Sequence, residues 1–265
     1  MLRAERQAKI IQLIREKGYI ENDNLSQLFD VTPATIRRDM KALAEQRLIR
    51  LDHGGAYDID ALDGSTEPLY ETKVYVNREA KRFIGSAAAE MICDNDTIFL
   101  DSGTTNTEIA QSLRSKSFHN LTVITCDIIT AKVLCPVPNI NVLVLGGILR
   151  KSFYTAYGPY TESILNNIRA NKFFLGVDAA SAEHGISNIV LEEIPIKQLM
   201  IQNSEKVIMV ADGSKFGKNA AYKVCSWEAV DQVITDYCVS REYLEFFEGQ
   251  QVKILQVGTA ISPCE

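Results

Sequence analysis

The chain has 265 residues, 46% of them hydrophobic and 23% charged, with 28 Lys and Arg against 34 Asp and Glu for a net charge of −6. That length predicts one large domain or a small one joined to a medium one, and that apolar fraction excludes a disordered chain. No apolar run approaches the roughly 18 residues that cross a bilayer, and no apolar signal core follows Met1-Leu2-Arg3-Ala4-Glu5-Arg6, so a soluble cytoplasmic protein with no membrane partner is expected.

From Arg6 to Lys17 the apolar residues Ile10, Ile11, Leu13 and Ile14 recur at helical spacing, and Gly18 is placed to end that helix. A second short helix fits Asp23–Phe29, and Asp30-Val31 makes a turn. Thr32-Pro33 is an N-cap followed by a first-turn proline, the start signal for a third helix that runs to about Gln46. Strand-like pieces at Leu48–Leu51 and Ala56-Tyr57 flank Asp52-His53-Gly54-Gly55, which gives the order of a winged helix-turn-helix. In the third helix Ile36, Met40 and Leu43 lie within about 60° of one another and form the buried stripe. Ala34, Arg38, Lys41 and Glu45 point the opposite way, with Thr35 and Arg37 on the flanks. Such a helix suits insertion into a DNA major groove. Arg37 and Arg38 can pair with guanine, Thr32, Thr35 and His53 are candidates for the phosphate backbone, and Ala34, Lys41 and Arg50 complete the expected DNA-binding set. Charge agrees: residues 1–57 carry ten basic against eight acidic side chains, whereas the other 208 carry 18 against 26. Double-stranded DNA, if it is a partner, must meet the N-terminal segment.

Residues 58–76 are polar, with no sustained periodicity, and are expected to link a head (1–57) to a body (77–265). In the body, strand-like runs at Thr97–Leu100, Leu121–Ile124, Val142–Leu145, Phe173–Val177, Val207–Val210, Val233-Ile234 and Val252–Leu255 alternate with helical stretches such as Lys81–Met91, Glu108–Leu113 and Pro195–Gln202. That alternation predicts the α/β class with a mainly parallel sheet.

Ligands of open α/β sheets bind beyond the carboxyl ends of the strands. Asp101-Ser102-Gly103-Thr104-Thr105 follows the first body strand and opens a helix, so hydroxyls and free helix-start amides offer a phosphate cradle. Thr125, Gly146-Gly147, Asp178, and Asp212 with Lys215 stand at the ends of later strands. Lys81, Lys197 and Lys215 are the cations expected to serve a phosphate. The six cysteines are scattered without C-x-x-C spacing and the three histidines lie far apart, so no metal, no cofactor and no disulfide framework is expected.

Thr32-Pro33-Ala34-Thr35-Ile36-Arg37-Arg38-Asp39-Met40 followed by Arg50-Leu51-Asp52-His53-Gly54-Gly55-Ala56 resembles the DNA-binding signature of the DeoR family of bacterial repressors. Asp101-Ser102-Gly103-Thr104-Thr105, Leu145-Gly146-Gly147-Ile148-Leu149-Arg150, Phe174-Leu175-Gly176-Val177-Asp178 and Asp212-Gly213-Ser214-Lys215-Phe216-Gly217 resemble that family's effector domain. The resemblance implies a regulator of sugar catabolism whose body is similar to ribose-5-phosphate isomerase, senses a phosphorylated sugar, and assembles as a homo-oligomer, dimer or tetramer. It carries the phosphate loop to Ser102, Gly103, Thr104 and Thr105, and the effector-response pair to Asp212 and Lys215. It also assigns Lys81 to the site, and the stretch from Phe174 to Ser187 looks closest to members that answer to amino-sugar or related hexose phosphates. The chain departs from the pattern at Cys126, where the family has Asn, and at Ser181, where it has a second Asp. The alternative is a sugar-phosphate isomerase with an accessory DNA-binding head. Isomerisation needs a poised carboxylate with partners that tune it. Asp178 is one such group, but Ser181 removes the second, so no catalytic residue and no enzyme activity is expected.

Overall fold

The computed structural model describes residues 1–52, 54–58, 67–250 and 252–258. They form two compact units, Met1–Arg78 and Glu79–Glu265. His53, among the expected DNA contacts, lies outside the described residues.

In the first unit α1 (Arg3–Lys17) closes at Gly18, whose amide donates to the Ile14 carbonyl (2.8 Å). A short strand β1 (Tyr19–Glu21) leads into α2 (Asn22–Phe29), which ends at Asp30 in the left-handed conformation that short polar side chains tolerate. α3 (Pro33–Glu45) starts where Thr32 accepts a hydrogen bond from the Thr35 amide (3.3 Å). β2 (Ile49–Asp52) and β3 (Gly55–Asp58) form the wing, and β1 pairs antiparallel with β3 to complete a three-stranded sheet. The sequence gives no warning of β1, because three residues hold too little alternation to read as a strand. Ile10, Ile11, Ile14, Leu25, Ile36, Met40 and Leu43 fill the core between the three helices and this sheet. Within the span expected to be a linker, α4 (Tyr70–Lys73) packs beside α1 with Tyr70 and Thr72 buried, a single turn too short to show a period.

The second unit is an α/β domain. Its elements in order are α5 (Arg78–Glu90), β4 (Thr97–Leu100), α6 (Thr104–Leu113), β5 (Leu121–Thr125), α7 (Ile128–Leu134), β6 (Ile140–Val144), β7 (Ile148–Arg150), β8 (Thr155–Tyr157) and α8 (Pro159–Leu165). Then come β9 (Ala170–Gly176), β10 (Ala179–Ser181), β11 (Gly185–Asn188), α9 (Ile194–Gln202), β12 (Ser204–Val210), β13 (Tyr222–Cys225), β14 (Gln232–Asp236), α10 (Arg241–Gln250) and β15 (Lys253–Val257). Seven of the strands make one sheet in the order β15-β14-β12-β9-β4-β5-β6, every pairing parallel. β7–β8 is a hairpin, and β10, β11 and β13 form a small antiparallel sheet. Alternate residues of the central strands feed two apolar layers. Ile98, Leu100, Phe174, Ile208 and Val210 join the layer with Ile84 of α5 and Ile109 of α6, while Phe99, Phe173, Leu175, Val207 and Met209 join the layer with Met200 of α9 and Phe247 of α10. Burial on both faces explains why these strands read as continuous apolar runs.

The chain order fixes where the crevice lies. β4, β5 and β6 step outward in one direction, after which the chain returns to lay β9 on the other side of β4 and continues through β12, β14 and β15. The direction of winding reverses between β4 and β9, the place where α/β sheets open a crevice at their carboxyl ends.

Candidate functional site

The head exposes several basic and polar side chains on α3 and β2. Thr32, Ala34, Arg37, Arg38 and Lys41 are exposed along α3, Thr35 is half-buried, and Arg50 is exposed on β2. The Thr32 and Thr35 hydroxyls are 3.0 Å apart at the helix start. Among the described residues none of Arg37, Arg38, Lys41 and Arg50 is held in an ion pair, so their charge is available to neutralise a phosphate. The reverse side of α3 holds a group that sequence reasoning missed. Asp39 is buried, accepting from Arg6 Nε (2.6 Å) and Arg3 Nε (3.2 Å), which ties α1 to α3. The signal was present: at helical spacing Asp39 falls about 60° from Ile36 and about 40° from Leu43, at the edge of the buried stripe.

In the body, the reversal point between β4 and β9 is bridged by Asp101. Its carboxylate accepts from the Ser102 amide (2.8 Å) and the Gly176 amide (2.9 Å), and pairs with the Lys197 ammonium of α9. Lys197 also donates to the Gly176 carbonyl (3.0 Å). Both charged side chains are buried. Burial by itself lowers the Lys197 pKa, but the facing carboxylates of Asp101 and Glu193 outweigh it and hold the ammonium above the usual lysine range. Lys197 is therefore a neutralised internal cation rather than an open one.

The next strand end supplies a second buried carboxylate, Asp127, which the sequence reading passed over. It caps α7 by accepting from the Thr130 amide (2.8 Å), and its other oxygen accepts from the Gly103 amide (3.0 Å). The Thr125 hydroxyl accepts from the Asp127 amide (3.1 Å), so Thr125 shapes this turn. Burial pushes the Asp127 carboxyl up to about 6, opposed by the amides of Gly103 and Thr130 and reinforced by Asp101. One donor of the expected phosphate cradle is thus already occupied. Gly103 sits at φ 114°, a conformation that favours glycine. The first-turn amides that follow it, at Thr104, Thr105 and Asn106, have no acceptor inside the helix. Thr104 is buried, Ser102 and Thr105 are partly exposed, and both side-chain polar atoms of the buried Asn106 lack a hydrogen-bond partner.

A polar chain leads away from β9. The Asp178 carboxylate accepts from the Ile189 amide (3.1 Å), while its own amide donates to Asn188 Oδ1 (3.3 Å). Asn188 Nδ2 lies 3.5 Å from Glu193, and Glu193 accepts from Arg150 Nη1 of β7 (3.1 Å), whose guanidinium stacks 3.7 Å over the Phe153 ring. Asp212 follows β12, caps a short 3-10 turn through the Ser214 amide (3.2 Å), and bonds the Ser214 hydroxyl; Lys215 in that turn is half-buried. Lys81 is buried on α5. Gly146 is exposed, whereas Gly147 has a packing reason: a Cβ there would collide with the Tyr157 carbonyl and the Thr161 hydroxyl. Ser181 bonds Asn219 Oδ1 (2.7 Å) and accepts from the His184 amide (3.1 Å), a loop-shaping role. Among the described residues no cluster of His, Cys, Asp and Glu is arranged to hold a metal ion, and no helix is long and apolar enough to cross a membrane.

Comparison with known proteins places both units. Residues 6–61 match the DeoR-like helix-turn-helix domain and residues 76–237 match the DeoR C terminal sensor domain. The glycerol-3-phosphate regulon repressor of Escherichia coli (strain K12) is 34% identical over 238 residues, covering 89% of this chain and 92% of that protein. The HTH-type transcriptional regulator GolR of Listeria innocua serovar 6a is 32% identical over 254 residues, covering 95% and 98%. Among solved structures, ribose 5 phosphate isomerase A from Neisseria gonorrhoeae aligns over 52% of this chain and 53% of its own, at 17% identity and a TM-score of 0.38, too distant to bear on function.

Proposed function

The chain belongs to the DeoR family of DNA-binding transcriptional regulators, and from that premise we propose that it represses a carbohydrate-catabolic operon until a phosphorylated sugar occupies its body. The observation that carries the effector half is the start of α6. Its free amides and the Ser102 and Thr105 hydroxyls stand beside the sheet's reversal point, where a helix N-terminus favours an anion. Ser102, Gly103, Thr104 and Thr105 take the phosphate, with Lys81 and Lys215 as its cations. Lys197 acts through Asp101, holding the loop that carries them. Thr125 sets the Asp127 turn, Gly146 and Gly147 set the turn after β6, and Asp178 and Asp212 are acceptors for sugar hydroxyls. An amino-sugar or hexose phosphate is the effector class.

In the head, Arg37 and Arg38 read base edges, Ala34 lies against the groove floor, and Thr32, Thr35, Lys41 and Arg50 hold the duplex backbone, with His53 assigned there from its sequence position alone. One head offers few base-reading side chains, so a homo-oligomer that places two heads on paired half-sites multiplies a weak contact. The isomerase reading finds no support, since the relatives that span the chain are named as regulators.

The test is fluorescence anisotropy of the full chain on operator DNA, titrated with sugar phosphates and with their unphosphorylated parents. Release by one phosphosugar and by no parent sugar is expected, with a coupling of about 1–3 kcal/mol between the sites. Lys215→Ala keeps DNA binding and loses the response. Release by a parent sugar, or by none of the panel, removes the phosphate cradle from the proposal and leaves the head's role standing.

A further inference from the structure

We propose that Asn106 is the residue by which the body distinguishes a phosphorylated sugar from phosphate alone, its side-chain amide taking the sugar hydroxyls nearest the phosphate. This rests on the effector reading above and deepens it. Asn106 is the third residue of α6, so its side chain leaves the same helical turn whose free amides form the phosphate cradle. The residue is fully buried, and neither its Oδ1 nor its Nδ2 has a hydrogen-bond partner. Among the described residues it is the only side chain with both polar ends unmatched, whereas Asn22, Gln46 and Thr235 each leave one atom. A buried amide without partners costs stability, and a leucine of similar size would avoid that cost.

The surroundings locate the amide. A Cβ added to Gly176, at the carboxyl end of β9, would lie 3.1 Å from Asn106 Nδ2, 3.1 Å from the Ser102 carbonyl and 3.5 Å from Asp101 Oδ2. The Asn106 amide therefore reaches from α6 to the reversal point between β4 and β9, beside the first residue of the cradle. Gly176 has no positive φ that would require glycine, so its role is to let Asn106 and Ser102 approach. Gly176 and Ser102 are both partly exposed, so the residues that flank the buried amide open on the crevice. Charge selects the group that binds. The neighbouring Asp101 is matched by Lys197 and accepts from the Ser102 and Gly176 amides, which leaves no free charge there to balance an ammonium. Asn106 offers an acceptor and an N–H donor side by side. Neighbouring sugar hydroxyls supply both counterparts, while a phosphate dianion supplies acceptors alone. A site built to hydrogen-bond a hydroxyl rejects a ligand that lacks it, because its buried polar atoms then stay unpaired.

The experiment is isothermal titration calorimetry of the full chain, parent and Asn106→Leu. The probes are inorganic phosphate, glucose 6-phosphate, fructose 6-phosphate and glucosamine 6-phosphate. In the parent, a hexose phosphate should bind at least about 10-fold tighter than inorganic phosphate. Asn106→Leu should lose most of that margin, keep the constant for inorganic phosphate within about twofold, and melt no lower than the parent. A loss that falls equally on both kinds of probe makes Asn106 a support of the loop and overturns the proposal. A folded variant that keeps the full margin also overturns it, the result of an enclosed water satisfying the amide. A parent that binds inorganic phosphate but no hexose phosphate overturns the assignment and leaves the cradle standing; a parent that binds neither overturns both. Should the variant fail to fold, nuclear magnetic resonance of the parent decides the matter. The Asn106 side-chain amide signals must shift with a hexose phosphate and not with inorganic phosphate, and signals that stay in place overturn the proposal.

Discussion

In the head, Arg37, Arg38, Lys41 and Arg50 stand in solvent with no ion pair among the described residues. In the body, Asp101, Asp127, Glu193 and Lys197 are buried and tied to backbone amides or to one another. The contrast follows from the ligand each half meets. A DNA duplex is a rod of phosphates whose field acts over the roughly 8 Å Debye length of physiological salt, so cations recruit it best when left unpaired at the surface. A small effector is recognised by contact, and groups that bind it must be held in place beforehand, which burial and internal pairing accomplish. The head has one exception in Asp39, and it lies on the face turned away from the proposed groove-reading side.

The largest effect that can break this comparison is on folding. Lys197→Met strips the partner from buried Asp101 and should cost the body about 3–5 kcal/mol in denaturant unfolding. Asp39→Ala leaves the nearly buried Arg6 uncompensated and should cost the head a similar amount. If Asp39→Ala costs under about 1 kcal/mol, the head needs no buried charge and the two halves differ more sharply than their contacts indicate. Next comes pH. Burial holds the Asp127 proton up to about 6, whereas the unfolded chain releases it near 3.8. The folded state therefore binds more protons between those values, so this group's contribution to stability is greatest below the lower one. It declines by about 3 kcal/mol as pH rises towards 6, and is flat above. Asp127→Asn should flatten that decline in a pH series of unfolding curves, leaving a smaller fall from Asp236, which burial also raises. An unaltered decline would mean that Asp127 ionises in the fold as it does in water.

The smaller effects sharpen the comparison. Arg38→Ala should weaken operator binding by about 1–3 kcal/mol while the unfolding free energy moves by less than about 0.5. Operator affinity equal to the parent's would turn α3 to a different face. Thr32→Ala removes the α3 cap and should cost about 1 kcal/mol in the head alone, seen as a lower melting temperature of that unit.

The head was largely legible in the sequence because its signals are local. Gly18, Thr32-Pro33 and the Ile36, Met40, Leu43 stripe each act within a few residues of where they appear, and the structure starts and ends its helices there. β1 and α4 were not legible. A three-residue strand exists because β3 offers it an edge, and a one-turn helix because α1 offers it a surface, and neither partner is near in sequence. In the body, the strand–helix alternation and the polar strand ends were readable one by one. Which of them meet was not.

The sequence by itself determined the class of each half, the position of the helix with a basic outer face and the chemistry available at each strand end. Period, capping and composition are properties of short stretches. Only the tertiary structure decided that β9 returns to the side of β4, that Asp101 bridges the two, and that Lys197 is spent on that bridge. It also decided that Asp127, rather than a ligand, holds the Gly103 amide. Those contacts join residues 24 to 96 positions apart, and their geometry is set by the order in which strands add to the sheet, which no local pattern encodes.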